Sequence, residues 1–295
     1  MSATEAPGRH RGLELALVGV AAVWGFTFPV VKDAVEVIPP FQFLAIRFGI
    51  AAALMTVVFG RDLRRFGLKP LVASAFAGVA LFAGYAFQTV GLQRTQASNA
   101  GFITGLFVVF TPILTALVLR RLPSRGAVAG VALATIGLGL LSVTDSGFRF
   151  GSGEWLVLLC AVSFAVHIVI LGRFAPDLPT GAMTTIQMWV TATLSAWFSL
   201  RIETPVAVAG RDVWLAIVLT AVYASAIAFF IQTRAQRYLS PTRTALILVS
   251  EPAFAGLFGF VLLGETLTVA GWSGAALILA GMLAAELAPR RAEEG

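Results

Sequence analysis

Glu251 is a carboxylic acid in the middle of an apolar stretch, with Thr244 and Ile247 on the same helical face and Pro252 directly after it. An ionisable group costs about 2.5–3.5 kcal/mol at the centre of a membrane helix, so such a group faces a bundle interior or a wet cavity. There it either meets an ammonium group or exchanges a proton. The alternative is a carboxyl that binds backbone freed at Pro252, with Ser250 beside it. Other polar side chains sit in apolar surroundings too. Tyr85 and Gln88 share a helical face, as do Asn99 and Phe102. Thr180, Thr184, Gln187, Thr191 and Ser195 form a stripe at helical spacing, suited to facing into a bundle or to hydrogen bonding between helices. Arg47 either snorkels to an interface or pairs with a carboxylate.

Catalysis is poorly served by these residues. Ser163 and His167, four apart, are the one nucleophile and base pair at helical spacing, and no oxyanion signature accompanies them. Cys160 stands alone in an apolar segment, which gives no disulfide framework and no metal spacing. It reads as a small buried hydrophobe. Neither an enzyme nor a cofactor protein is expected. Trp24, Phe26 and Phe28 crowd the middle of one segment rather than its rim, where interfacial aromatics belong. They form a wall or gate, or pack into neighbouring helices.

The elements that must position these groups are transmembrane helices. Hydrophobic residues make up 58% of the chain and charged residues 12%, far from the balance of a soluble domain. The apolar residues fall in blocks of about the length needed to cross some 30 Å of hydrocarbon. Ten blocks are read, at 13–31, 41–59, 71–91, 97–119, 127–143, 155–172, 181–200, 213–232, 242–263 and 269–287. The first follows Arg9 and Arg11 without a small-residue cleavage site and is expected to be retained. With ten spans, one side of the membrane holds Lys32, Arg94, Arg149, Arg201 and Arg211, and Arg47 lies within a span. The remaining fifteen of the 21 Lys and Arg fall on the side of both termini, which the positive-inside rule makes cytoplasmic. The net charge of +6 is therefore a topological signal, and no nucleic-acid partner is expected.

The chain also repeats. A shift of 139 residues places Leu17-Val18 on Leu156-Val157, Ala22-Val23 on Ala161-Val162 and Phe28 on His167; a shift of 140 places Thr111-Pro112 on Glu251-Pro252. The predicted units are a tail at 1–12, a five-helix repeat at 13–147, a second at 148–288 and a tail at 289–295. Five is odd, so successive units enter the membrane from opposite faces and become inverted repeats, an architecture that opens alternately around a midplane site. Pro112 and Pro252 are the predicted helix breaks, because a proline removes one backbone donor and crowds the preceding turn. The fold class is thus an all-α polytopic membrane protein of ten helices, with a lipid bilayer as its surroundings.

Several stretches resemble the EamA-type branch of the drug/metabolite transporter superfamily. They are W-G-F-T-F-P at 24–29, Arg47, T-Q-A-S-N-A-G-F from 95 leading to Pro112, and S-E-P at 250–252 followed by L-G-E at 263–265. The second half departs from the pattern, with Ser163-Phe164 where the first has Trp24-Gly25. The resemblance implies a secondary transporter in a bacterial inner membrane, closest in form to exporters of aromatic and neutral amino acids. An exporter of another drug or metabolite and a channel-like facilitator are the alternatives. The expected cavity lining is Trp24, Phe28, Tyr85, Gln88, Asn99, His167, Gln187, Ser250 and Glu251, taking a small-molecule substrate.

Overall fold

In a computed structural model the described residues, 10–64, 66–95, 97–119, 123–141, 151–254, 257–258 and 269–287, are helical and contain no strand. The chain runs through α1 (Arg11–Val37), α2 (Pro40–Leu63), α3 (Leu68–Leu92), α4 (Ala97–Gly105), α5 (Phe107–Leu119) and α6 (Arg125–Leu141). It continues through α7 (Ser152–Phe174), α8 (Thr180–Ile202), α9 (Arg211–Leu219), α10 (Ala228–Ala235), α11 (Pro241–Leu248) and α12 (Val269–Leu287). A π-helical stretch, Thr220–Ile227, joins α9 to α10.

Six helical stretches among the described residues are long and apolar enough to cross a membrane: Arg11–Val37, Pro40–Leu63, Leu68–Leu92, Ala100–Val118, Ser152–Asp177 and Arg211–Ala235. Val128–Leu140 and Val269–Gly281 are shorter apolar helices. The block expected at 181–200 forms α8, whose 23 residues are long enough but whose threonines, serines and Gln187 dilute its hydropathy. That polar stripe is buried, with Thr184, Gln187, Thr191 and Ser195 all fully enclosed. Large apolar side chains point outward instead, among them Val57, Leu117 and Leu200. An apolar exterior around a polar interior suits a hydrocarbon solvent.

Helices run beyond several of the apolar blocks. α1 continues past Lys32, Asp33 and Glu36 to Val37, because charged residues at a helix end can reach the interface. The following turn is short, and Pro40 opens α2 at a position where a missing N–H costs no helical bond. The next free amides of α2 are capped by a distant carboxylate: Phe41 N and Gln42 N donate to Glu203, at 2.8 and 3.0 Å.

The expected breaks need one correction. Pro112 lies inside α5, which continues through it, and the interruption in that span falls at Leu106, between α4 and α5. Proline removes the N–H that the Val108 carbonyl would receive, and on either side of it Thr111 and Thr115 donate to the carbonyls of Phe107 and Thr111, both at 2.7 Å. In the second half α11 ends at Leu248, Val249 and Ser250 form a turn, and helix resumes at Glu251. Pro252 thus stands in the first turn of a restarted helix, where proline is tolerated.

The helices pack in exchanged pairs when α1–α6 is set against α7–α12 in order. α1 contacts α10 and α11, and α7 contacts α3, α4 and α5. α2 contacts the π stretch, and α8 contacts α3. α2 meets α8, α5 meets α11, and α6 meets α12 along most of their lengths. Glycine permits the last approach: a Cβ on Gly137 would lie 2.5 Å from the Gly274 carbonyl oxygen.

Candidate functional site: a cavity between the halves

One cavity lies where α1, α2, α3, α5, α7, α10 and the α11 break converge. Its walls are largely aromatic. Phe229 of α10 is ringed by Trp24 at 5.2 Å, His167 at 5.8 Å and Tyr85 at 6.0 Å between ring centroids. Phe164 meets Tyr85 edge-on at 5.3 Å. Thr27, Phe28, Val31, Gln88, Leu92, Phe107, Ile168, Gln232 and Leu248 complete the lining with Arg47 and Glu251.

Local backbone geometry aims the polar groups. A π-helical turn is wider than an α-turn, which disturbs the regular bonding and frees groups on one side. In the stretch Thr220–Ile227 this face meets the first half of the chain twice. Trp24 Nε1 donates to the Ala224 carbonyl at 2.8 Å, and Arg47 Nε donates to Ser225 Oγ at 2.8 Å. Small residues, Ala221, Ala224 and Ala226, let α1 and α2 come this close.

Arg47 is 2% exposed. Its guanidinium also donates to the Tyr85 hydroxyl at 3.3 Å and lies over the Tyr85 ring, 4.7 Å from its centroid. Neither snorkelling nor a carboxylate pair accounts for it: the side chain stays inside, and its partners among the described residues are hydroxyls and rings. Glu251 is buried on the same cavity and has no hydrogen bond or ion pair among the described residues. The site thus holds a fixed cation and an acid, each with capacity left for a ligand, among aromatic walls. Among the described residues no group of three or more His, Cys, Asp or Glu comes together.

Six of the nine expected lining residues meet at this cavity: Trp24, Phe28, Tyr85, Gln88, His167 and Glu251. Gln187 stands behind it, its Oε1 2.7 Å from His167 Nε2 while its own amide donates to the Met183 carbonyl at 3.2 Å. It orients the imidazole rather than lining the space. Ser250 is buried and turned into its own helix, donating to the Ile247 carbonyl at 2.8 Å. Asn99 lies on α4, and its side chain falls outside the described residues. Ser163 donates to the Leu159 carbonyl at 2.8 Å, so the hydroxyl and His167 are engaged separately and form no catalytic dyad.

Sequence reading missed Phe164, Phe229 and Gln232, and left Arg47 outside the lining. Phe164 and Phe229 carry no local signal among 23 phenylalanines. Gln232 had one, a lone amide near the end of an apolar block.

Comparison with known proteins follows the same lines. The profile of the EamA-like transporter family matches the chain twice, over residues 12–143 and 151–285. An uncharacterized transporter of Archaeoglobus fulgidus is 36% identical over 275 residues, which cover 93% of this chain and 85% of that protein. The uncharacterized inner membrane transporter YedA of Escherichia coli K12 is 27% identical over 272 residues, covering 90% and 87%. A crystal structure at 24% identity superposes with a TM-score of 0.79 over 96% of this chain and 100% of that one, a likeness of fold.

Proposed function

Because the chain belongs to the EamA-like transporter family, we propose that it exports neutral and aromatic amino acids, or related small metabolites, across a bacterial inner membrane by alternating access. The transporter assignment and the absence of an enzymatic role follow from the family and its relatives; the substrate and direction are our reading. The supporting observation is the unmatched pair in the cavity. A zwitterion sets its carboxylate on the Arg47 guanidinium, a donor with fixed fork geometry, and its ammonium on Glu251. An apolar or aromatic side chain then packs among Phe164, Phe229 and Trp24.

Both ends of such a ligand are needed. An anion alone leaves Glu251 facing it unpaired, and a cation alone meets the Arg47 charge. Leaving either charge buried without a partner costs several kcal/mol, which is how the site discriminates.

Ten spans in two inverted five-helix units, with both termini cytoplasmic, give this cavity its route to either face. The exchanged packing of α1–α6 with α7–α12 supports that arrangement, as do the two successive family matches.

The test is purified protein in liposomes given a panel of labelled amino acids, amines and carboxylic acids, with and without a pH gradient. Saturable, counter-substrate-stimulated movement of zwitterions ahead of the single-charge compounds is expected. If only amines or only acids moved, the amino-acid assignment would fall; unitary conductance in a planar bilayer would argue for a channel.

A further inference from the structure

Glu14 and Glu154 stand in the first turns of α1 and α7, the helices that begin the two halves. They are 140 residues apart, the same shift that relates Thr111-Pro112 to Glu251-Pro252. Their burial is nearly equal, 8% and 7% exposed. Each reaches across to the other half, to a residue near the start of the interrupted span. Glu14 forms an ion pair with Arg243 at the start of α11. Glu154 accepts from the Thr95 hydroxyl just before α4, while also capping its own helix from Gly151 N at 2.8 Å.

These two contacts close opposite faces. The Glu14 contact lies where α1 begins. The Glu154 contact lies where α1 ends, since Lys32 donates to the Thr95 carbonyl at 3.3 Å and Gln93 to the Val35 carbonyl at 3.1 Å. Between them sits the cavity.

The seams behind the two contacts differ. Along the Glu154 side, α3 is drawn onto α7 by glycines: a Cβ on Gly91 would lie 2.7 Å from Val157, and one on Gly84 would strike the Phe164 ring. Along the Glu14 side, α10 and α11 flank α1, and Gln232 Oε1, Thr233 Oγ1 and Thr244 Oγ1 are buried there with no hydrogen-bond partner among the described residues, as is Glu14 Oε1, which meets Arg243 as an ion pair only. Such groups are costly in a dry seam and are satisfied when water enters.

We propose that Glu14–Arg243 and Glu154–Thr95 are the paired gate latches of the transport cycle, one on each face, and that the polar seam behind Glu14 is the water-filled path when that face opens. The inference rests on the alternating-access reading. Its readout needs no substrate, so the failure of every compound in a transport panel leaves it standing.

The test uses the full chain with Cys160 replaced by alanine and one reporter thiol, Thr244→Cys in the Glu14 seam or Val157→Cys in the Glu154 seam. An impermeant maleimide is applied to one side of oriented vesicles at a time. Both reporters are expected to react slowly in the parent. Glu14→Gln is expected to speed Thr244→Cys labelling about tenfold from the α1-start face alone, leaving Val157→Cys unchanged or slower. Glu154→Gln is expected to do the reverse. The exchange Glu14→Arg with Arg243→Glu is expected to restore slow labelling, which a general loosening would not allow. Should a variant fail to fold, tethering Glu14→Cys to Arg243→Cys with a bifunctional thiol reagent, with Thr244 left in place and hydrogen exchange followed at the amides around it, gives the same answer: the seam stays protected. Acceleration of both reporters by either change, or of neither, overturns the proposal, as does exchange in the tethered seam at the untethered rate.

Discussion

Arg47 Nε donates to Ser225 Oγ at 2.8 Å, a bond that joins α2 in the first half of the chain to the π stretch in the second, at the wall of the cavity. A buried guanidinium needs every available acceptor, and losing one leaves a charged donor unmatched at about 1–3 kcal/mol. Ser225→Ala is expected to lower thermal stability by that order and to let Arg47 swing toward the cavity. Arg47→Lys keeps the charge but loses the fork, and transport of zwitterions should fall at least tenfold while the protein still folds. A thermal melt in detergent and initial rates in liposomes check the pair. Retention of full transport by Arg47→Lys would show that the guanidinium serves structure alone.

Glu251 carries the opposite expectation for stability. Nothing among the described residues depends on its carboxyl, so Glu251→Gln removes a buried, unmatched acid without stranding a partner. Thermal stability should hold or rise, while the apparent affinity for amino acids falls by about 10- to 100-fold, the loss of one charge-assisted bond. KM and melting temperature measured on the same preparation separate the two effects. A large drop in stability would mean that the carboxyl binds the helix break at Val249-Ser250 instead.

Much of this arrangement was legible in the residues because membrane helices obey few rules. Apolar length pointed to membrane helices, and buried polar types pointed to the interior, so Trp24, Phe28, Tyr85, Gln88, His167 and Glu251 were named from sequence and share one cavity in the structure. The misses have physical causes. Periodicity gives the face of a helix but not its neighbour, so Gln187 read as lining although it stands behind His167. Proline marks a region rather than a residue: α5 continues through Pro112, and the interruption lies at Leu106. The π stretch has no signature in its alanines, yet it decides where Arg47 and Trp24 point. Glu14 and Glu154 did have a signal, the common shift of 140, which a search confined to the middle of each span overlooks.

Gln187 offers a test of orientation. Its amide nitrogen donates to the Met183 carbonyl, which turns Oε1 toward His167 Nε2 as an acceptor and assigns the imidazole proton to that nitrogen. Gln187→Leu should cost about 1 kcal/mol for the lost bond and allow the ring to turn into the cavity. Gln187→Glu, still an acceptor at the same place, should preserve the ring position. Nitrogen-15 chemical shifts of His167, the imidazole nearest the cavity, distinguish these outcomes: the parent and Gln187→Glu are expected to show a protonated Nε2, and Gln187→Leu a mixture of tautomers.

Gly84 controls the shape of the site from outside it. A methyl group there would strike the Phe164 ring, which has α3 on one side and the cavity on the other. Interiors are close-packed, so the ring yields toward the open side. Gly84→Ala is therefore expected to push Phe164 into the space that receives a substrate side chain. Uptake of tryptophan and phenylalanine by counterflow should weaken several-fold more than uptake of alanine or threonine, since the clamp proposed at Arg47 and Glu251 is untouched. Phe164→Leu in the same background removes the displaced ring edge and should recover the bulky substrates. Equal loss for small and large amino acids would instead place the effect of Gly84→Ala on the α3–α7 seam, with the substrate pocket unchanged.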